Sequence, residues 1–188
     1  MGALLSNSLR AIVLLGLVLL VLGCGLHPRI SPAPGHVQEQ FADGIFLDVP
    51  FVPQNQENDC GPAALASLLT HRNHALPLAT ITAEVFTPAL GRTLLPDMEN
   101  YARSLGLSPV TGRGDLDFLE QRINAGDPVV LLLDMGRMTT SQGHYVVLVG
   151  HAPEGFLMHS GHEAYRFMAA DTLKQRWSRM NNLYLYLE

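Results

Sequence analysis

Residues 54–69 read QNQENDCGPAALASLL, a polar loop that runs through Asn58, Asp59 and Cys60 into an unbroken series of helix formers. Ala and Leu lose little side-chain entropy in a helix, and Pro62 suits a first turn, where its missing N–H has no partner to lose. Asn58 or Asp59 can cap the exposed N–H groups. A buried helix is therefore expected over residues 61–69, with Cys60 at its amino end. A thiol there meets unpaired N–H groups and the positive end of the helix dipole, which favour the thiolate.

The chain on either side sets the fold class. Residues 45–49 (IFLDV) read as a short strand stopped by Pro50 and Pro53. Residues 79–86 and 96–105 read as helices, the second closed by Gly106, and residues 107–110 as a short strand. In residues 115–124 (DLDFLEQRIN), Leu116, Leu119 and Ile123 recur at helical spacing, giving an amphipathic helix that stops before Gly126. Strand-like runs then dominate: residues 128–133 (PVVLLL), 144–149 (HYVVLV), 155–159, 164–168 and 183–187 (LYLYL), with a short helix at 172–177. Helices first and an antiparallel sheet after them is the α+β pattern.

Composition narrows the class further. The chain has 188 residues, 47% hydrophobic and 15% charged, with a formal net charge of −5. One globular domain is expected, and with Asp+Glu at 17 against Lys+Arg at 12 and no run of like charge, nucleic acid is not an expected partner. Much of the apolar excess lies in residues 11–22 (AIVLLGLVLLVL). As a helix that run rises only about 18 Å, against a hydrocarbon core of roughly 30 Å. With Arg10 before it, the run fits the apolar region of a signal peptide; a plain membrane anchor is the other reading. It ends in Val21-Leu22-Gly23-Cys24, which resembles the lipobox of bacterial lipoproteins. That resemblance implies a signal peptide over residues 1–23, acylation of Cys24 and, with Gly25 rather than Asp following, attachment to the outer membrane facing the periplasm. Residues 27–40 (HPRISPAPGHVQEQ) lack periodicity, so residues 24–44 are expected to form an extended tether and residues 45–188 the domain.

Cys60 needs a base, and His144 is the best placed, since it follows Gly143 at the head of an apolar strand where packing does not require a histidine. The order Gln54, Cys60, His144 is that of papain-like cysteine peptidases. More closely, Gln54-x5-Cys60-Gly61 followed by Ala63-Ala64-Leu65, together with Gly143-His144-Tyr145-Val146-Val147-Leu148, resembles the bacteriocin-processing cysteine peptidases that cut leader peptides after a double glycine. The resemblance spans residues 49–188. It implies a papain-like fold with Cys60 as nucleophile, His144 as base and then acid, and Gln54 with the Cys60 backbone N–H as oxyanion hole. Gln56 competes for the place of Gln54. That family sets an Asp after the histidine strand, and the count from His144 lands on Ser160. Ser160, His159 as a neutral tautomer, and Asp134 at the end of the preceding strand are the candidates for the third member.

Other residues take quieter readings. His151, His159 and His162 lack the spacing of a zinc knuckle, and Cys24, once acylated, leaves Cys60 no thiol partner, so neither metal, cofactor nor disulfide is expected. His71 and His74 suit the end of the cysteine helix, and Tyr145, Trp177, Tyr184 and Tyr186 the core or sheet. The expected function is a lipid-anchored cysteine peptidase acting by acyl transfer on a peptide or protein of the cell envelope, with export machinery as a further partner. A non-catalytic peptide-binding module, or another Cys/His amide acyl transfer, is the alternative.

Overall fold

The computed structural model describes residues 34–137 and 139–188, so the expected signal segment, Cys24 and the first part of the tether lie outside the described residues. Two buried strands, β5 (Val129–Asp134) and β6 (Gly143–Ala152), form the centre of the sheet. They pair antiparallel, with Leu133 opposite His144 and Asp134 opposite Gly143. Around them lie β4 (Pro109–Arg113), β7 (Gly155–Ser160), β8 (Glu163–Ala169) and β9 (Leu183–Leu187), in the order β4-β9-β5-β6-β7-β8. A two-residue strand, β1 (Ile45–Phe46), pairs with the far end of β6, and every pairing is antiparallel.

Each face of the sheet has its own core. One face carries Val130, Val147 and Val149 against Leu65, Leu68 and Leu69 of α2 (Cys60–His71), with α3 (Leu78–Val85) and α4 (Leu95–Ser104) beside it. The other carries Leu131, Leu133, Val146 and Leu148 against α5 (Leu116–Asn124) and α6 (Ala170–Ser178), including the buried Trp177. Because both faces of β5 and β6 are covered, the strands read as continuous apolar runs rather than alternating ones. Trimming Leu65, Leu68 or Leu69 to Ala would cost about 2–5 kcal/mol by leaving a cavity at a site with no slack.

Three features depart from the sequence reading. The expected extended tether is helical at α1 (Pro34–Gln40). Val37 is buried there, and Phe41 just beyond stacks on Phe167 at 5.1 Å between ring centroids, so tertiary burial rather than periodicity makes this helix. The strand expected over residues 45–49 narrows to β1, although the Leu47 N–H still bonds Val149 O. The helix expected over residues 79–86 ends at Val85, and residues 86–93 form a hairpin of β2 (Phe86–Thr87) and β3 (Arg92–Thr93) around a 3-10 turn (Pro88–Leu90), with Gly91 left-handed at φ 61°. Strands of two residues carry no periodic signal.

Candidate active site

Cys60 is the first residue of α2. The chain turns over residues 55–58 just before the helix, and the Asp59 carboxylate accepts the N–H groups of Asn55 and Gln56 instead of capping the helix. Gly61 follows for want of space: a Cβ there would lie 2.8 Å from Thr93 Cβ, so β3 packs directly on the head of α2. Cys60 and His144 line one cleft of about 520 Å³, walled also by Thr93, Leu132, Gln142 and Met180. A much smaller void of about 10 Å³ lies on the inner side of Cys60, lined by Gln54, Ser67 and His159 among others.

The electrostatics run against the thiolate expectation. Burial pushes the Cys60 thiol above its ordinary value; the N–H groups of Tyr145 and Gly61 pull it back in part, and the adjacent Asp59 charge adds to the rise. Burial, and then the positive charge of Arg166, hold the His144 imidazole below its ordinary value. Both shifts favour the uncharged forms, since at a helix head this enclosed the loss of hydration outweighs the N–H groups.

The three candidates for the third member separate cleanly. Ser160, buried at the end of β7, places Oγ 3.2 Å from His144 Nε2. His159 has both ring nitrogens engaged elsewhere: Nδ1 accepts the Tyr165 N–H at 3.2 Å, so Nε2 carries the proton and donates to Val49 O at 2.9 Å. Burial lowers its pKa and keeps it neutral. Asp134 accepts the N–H groups of Gly136 and Gln142, both at 2.9 Å, and these hold its carboxyl below the usual range. Its other oxygen lies 3.7 Å from Arg179 Nη1, so the carboxylate is engaged by its own loop and by Arg179.

Gln54 is buried and Gln56 exposed, which separates those two. The Gln54 backbone N–H bonds Gly161 O at 3.1 Å and ties the cysteine loop to the β7–β8 turn. Its side-chain nitrogen donates to Gln56 O at 2.9 Å and Glu57 O at 3.5 Å, and Oε1 is buried without a partner. In this conformation the amide closes its own loop. The sequence reading missed the β2–β3 wall of the cleft and the charge of Arg166; no spacing rule brings residue 166 near residue 144. Among the described residues no three His, Cys, Asp or Glu side chains gather as a metal ion would require, and His151 bonds Asn124 at 2.8 Å, away from His159.

A cysteine heading a buried helix, a histidine at the head of a central antiparallel strand and a shared cleft define a papain-like fold of the cysteine-peptidase class. The chain belongs to the Peptidase_C39-like family, whose model matches residues 46–185. Solved structures agree on the fold. The peptidase domain of Streptococcus ComA, a bifunctional ABC transporter in a quorum-sensing pathway, is 22% identical with TM-score 0.61, covering 72% of this chain and 95% of that one. A C39-like peptidase from Bacillus anthracis is 17% identical with TM-score 0.65, covering 77% and 97%. A double-glycine-motif protease of an AMS/PCAT transporter, in complex with its leader peptide, is 17% identical with TM-score 0.62, covering 76% and 93%. Among curated proteins, none matches the chain by sequence.

Proposed function

We propose that the chain is a cysteine peptidase that cuts a peptide bond by acyl transfer through Cys60 and His144. The observation that carries this is geometric: thiol and imidazole share the cleft, and Ser160 holds the far nitrogen of the ring. With Nε2 at Ser160, Nδ1 is the nitrogen left for the thiol proton. His144 Nδ1 takes that proton as Sγ bonds the carbonyl carbon, and the displaced electron pair becomes an oxyanion facing the N–H groups at the head of α2. The tetrahedral centre collapses, the C–N bond breaks, and His144 returns the proton to the leaving amine. Water, deprotonated by His144, then cleaves the thioester and restores the thiol. Such a general-base route starts from the neutral pair and does not need a resting thiolate.

The leader peptide bound to the AMS/PCAT protease supports a peptide substrate, and the transporter setting of that protein and of ComA supports export machinery as a partner. The lipobox-like Val21-Leu22-Gly23-Cys24 supports a lipid anchor at Cys24, which would hold the domain at the outer membrane, facing the periplasm and envelope peptides. Incubating the full chain with peptides bearing a double-glycine site, and reading the products by mass, tests the activity. Cleavage by the native chain that vanishes in Cys60→Ala and in His144→Ala is expected; intact peptide with the native chain contradicts it. Palmitate labelling lost in Cys24→Ala tests the anchor. The non-catalytic peptide-binding reading is favoured by one observation, the hydroxyl of Ser160 where a carboxylate would stabilise the imidazolium far better.

A further inference from the structure

We infer that Glu163 supplies to His144, through the Ser160 hydroxyl, the negative charge that no directly bonded carboxylate provides. This rests on the Cys60–His144 reading and names its missing member. Ser160 and Glu163 are register partners across the β7–β8 turn, so their side chains leave the same face of the hairpin with Cβ atoms about 4.5–5.5 Å apart. A bulge sets this register. Met158 faces Arg166 and Ser160 faces Glu163, leaving His159 alone opposite Ala164 and Tyr165. Tyr165 takes a positive φ of 52° and turns its N–H onto the His159 ring, and Gly161, at φ 62°, closes the turn.

The proton inventory then leaves the serine hydroxyl as a donor. For His144 Nδ1 to receive the thiol proton, Nε2 must already carry hydrogen and donate it to Ser160 Oγ, 3.2 Å away. The serine proton must point elsewhere, and the carboxylate directly across the turn is the acceptor the register offers. In the resting structure Glu163 leans toward Arg166 at 3.8 Å, with both side chains exposed. A long exposed ion pair holds its partners weakly, so turning the carboxylate to Ser160 costs little. No bond forms or breaks in this relay: Nε2–H donates to the hydroxyl, the hydroxyl donates to the carboxylate, and the imidazolium formed on attack is stabilised. Glu163 is thus a positioning residue acting through Ser160.

The other titratable or charged groups around His144 are Cys60 on α2, Tyr145 on β6, Glu57 in the loop before α2 and Arg92 on β3, all lining the cleft, with His162 in the β7–β8 turn and Arg166 on β8. Of these, Arg166 opposes the imidazolium, so Glu163 has two ways to help it, by neutralising Arg166 or by the relay, and the experiment must divide them.

The test follows the His144 imidazole by NMR on the full chain labelled at histidine, its signal picked from the eight histidines by its loss in His144→Ala. The relay predicts that Glu163→Gln lowers the His144 titration midpoint by about 0.5 unit, a size suited to a partly exposed charge. It predicts the same shift in an Arg166→Gln background and none in a Ser160→Ala background. An unchanged midpoint, a shift that disappears with Arg166, or one that survives without Ser160 overturns the inference. The readout needs no turnover, so a chain that cleaves no peptide refutes the peptidase reading without touching this result.

Discussion

Two hairpins flank His144, and each ends in an oxygen-bearing side chain that a reader of the sequence would offer to it. In β5–β6 that residue is Asp134, already charged; in β7–β8 it is Ser160, neutral. The structure uses them in opposite ways. Asp134 spends its carboxylate on the N–H groups of Gly136 and Gln142, holding the loop between the strands closed. Ser160 faces His144 and bonds it. Nearness in sequence and strength of charge count for less than prior engagement: the better acceptor is already taken up by its own loop and by Arg179.

The comparison can be broken at each hairpin. The largest effect is expected at His159, the residue that fixes the β7–β8 bulge. His159→Ala strips partners from Val49 O and the Tyr165 N–H and should lower the unfolding free energy by about 3 kcal/mol in urea titration. It should also flatten the pH dependence of stability. A folded pKa below the ordinary value means the unfolded chain binds more protons near pH 6, so native stability falls as pH drops below about 6.5. That slope should shrink in the variant. Asp134→Ala, which frees two loop N–H groups, should cost about 2 kcal/mol yet leave the His144 titration in place, separating the structural hairpin from the chemical one.

Ser160→Asp sharpens the contrast in the other direction. A carboxylate at Nε2 should raise the His144 pKa by about one unit and kcat/KM by about tenfold, the equivalent of 1.36 kcal/mol. Ser160→Asp activity below the native level would show that this corner does not face a working base. The smallest effect belongs to Arg166→Gln, which removes an opposing charge at an exposed site and should raise the His144 midpoint by about half a unit, read by NMR.

The fold was legible wherever burial alone decides structure. The NDCGPAALASLL helix, the apolar runs of β5 and β6 and the LYLYL strand all stand where their patterns put them, because packing on both faces selects those residues. It was illegible where structure depends on a distant partner. The helix at 34–40 buries Val37, which no local pattern shows, and β2–β3 seats Thr93 against Gly61, a contact 32 residues away in sequence. The same division runs through the site. Cys60 and His144 stand out at the heads of their elements, and counting strands reaches Ser160. The acidity of the thiol was misread, since a helix-head argument sees the N–H groups and not the lost solvent. The register of Glu163 depends on a bulge that only the folded β8 displays.

In the proposed reaction Cys60 attacks a peptide carbonyl with His144 as its base, starting from a neutral pair. Acid quenching of the full chain mixed with a double-glycine peptide, followed by intact mass, tests it most directly. A thioester on Cys60, absent in Cys60→Ala, is the expected result. Its formation should quicken as pH rises through the His144 pKa and then hold level, because burial keeps that midpoint below 6.5. Peptide that binds and leaves Cys60 unmodified at every pH would contradict it.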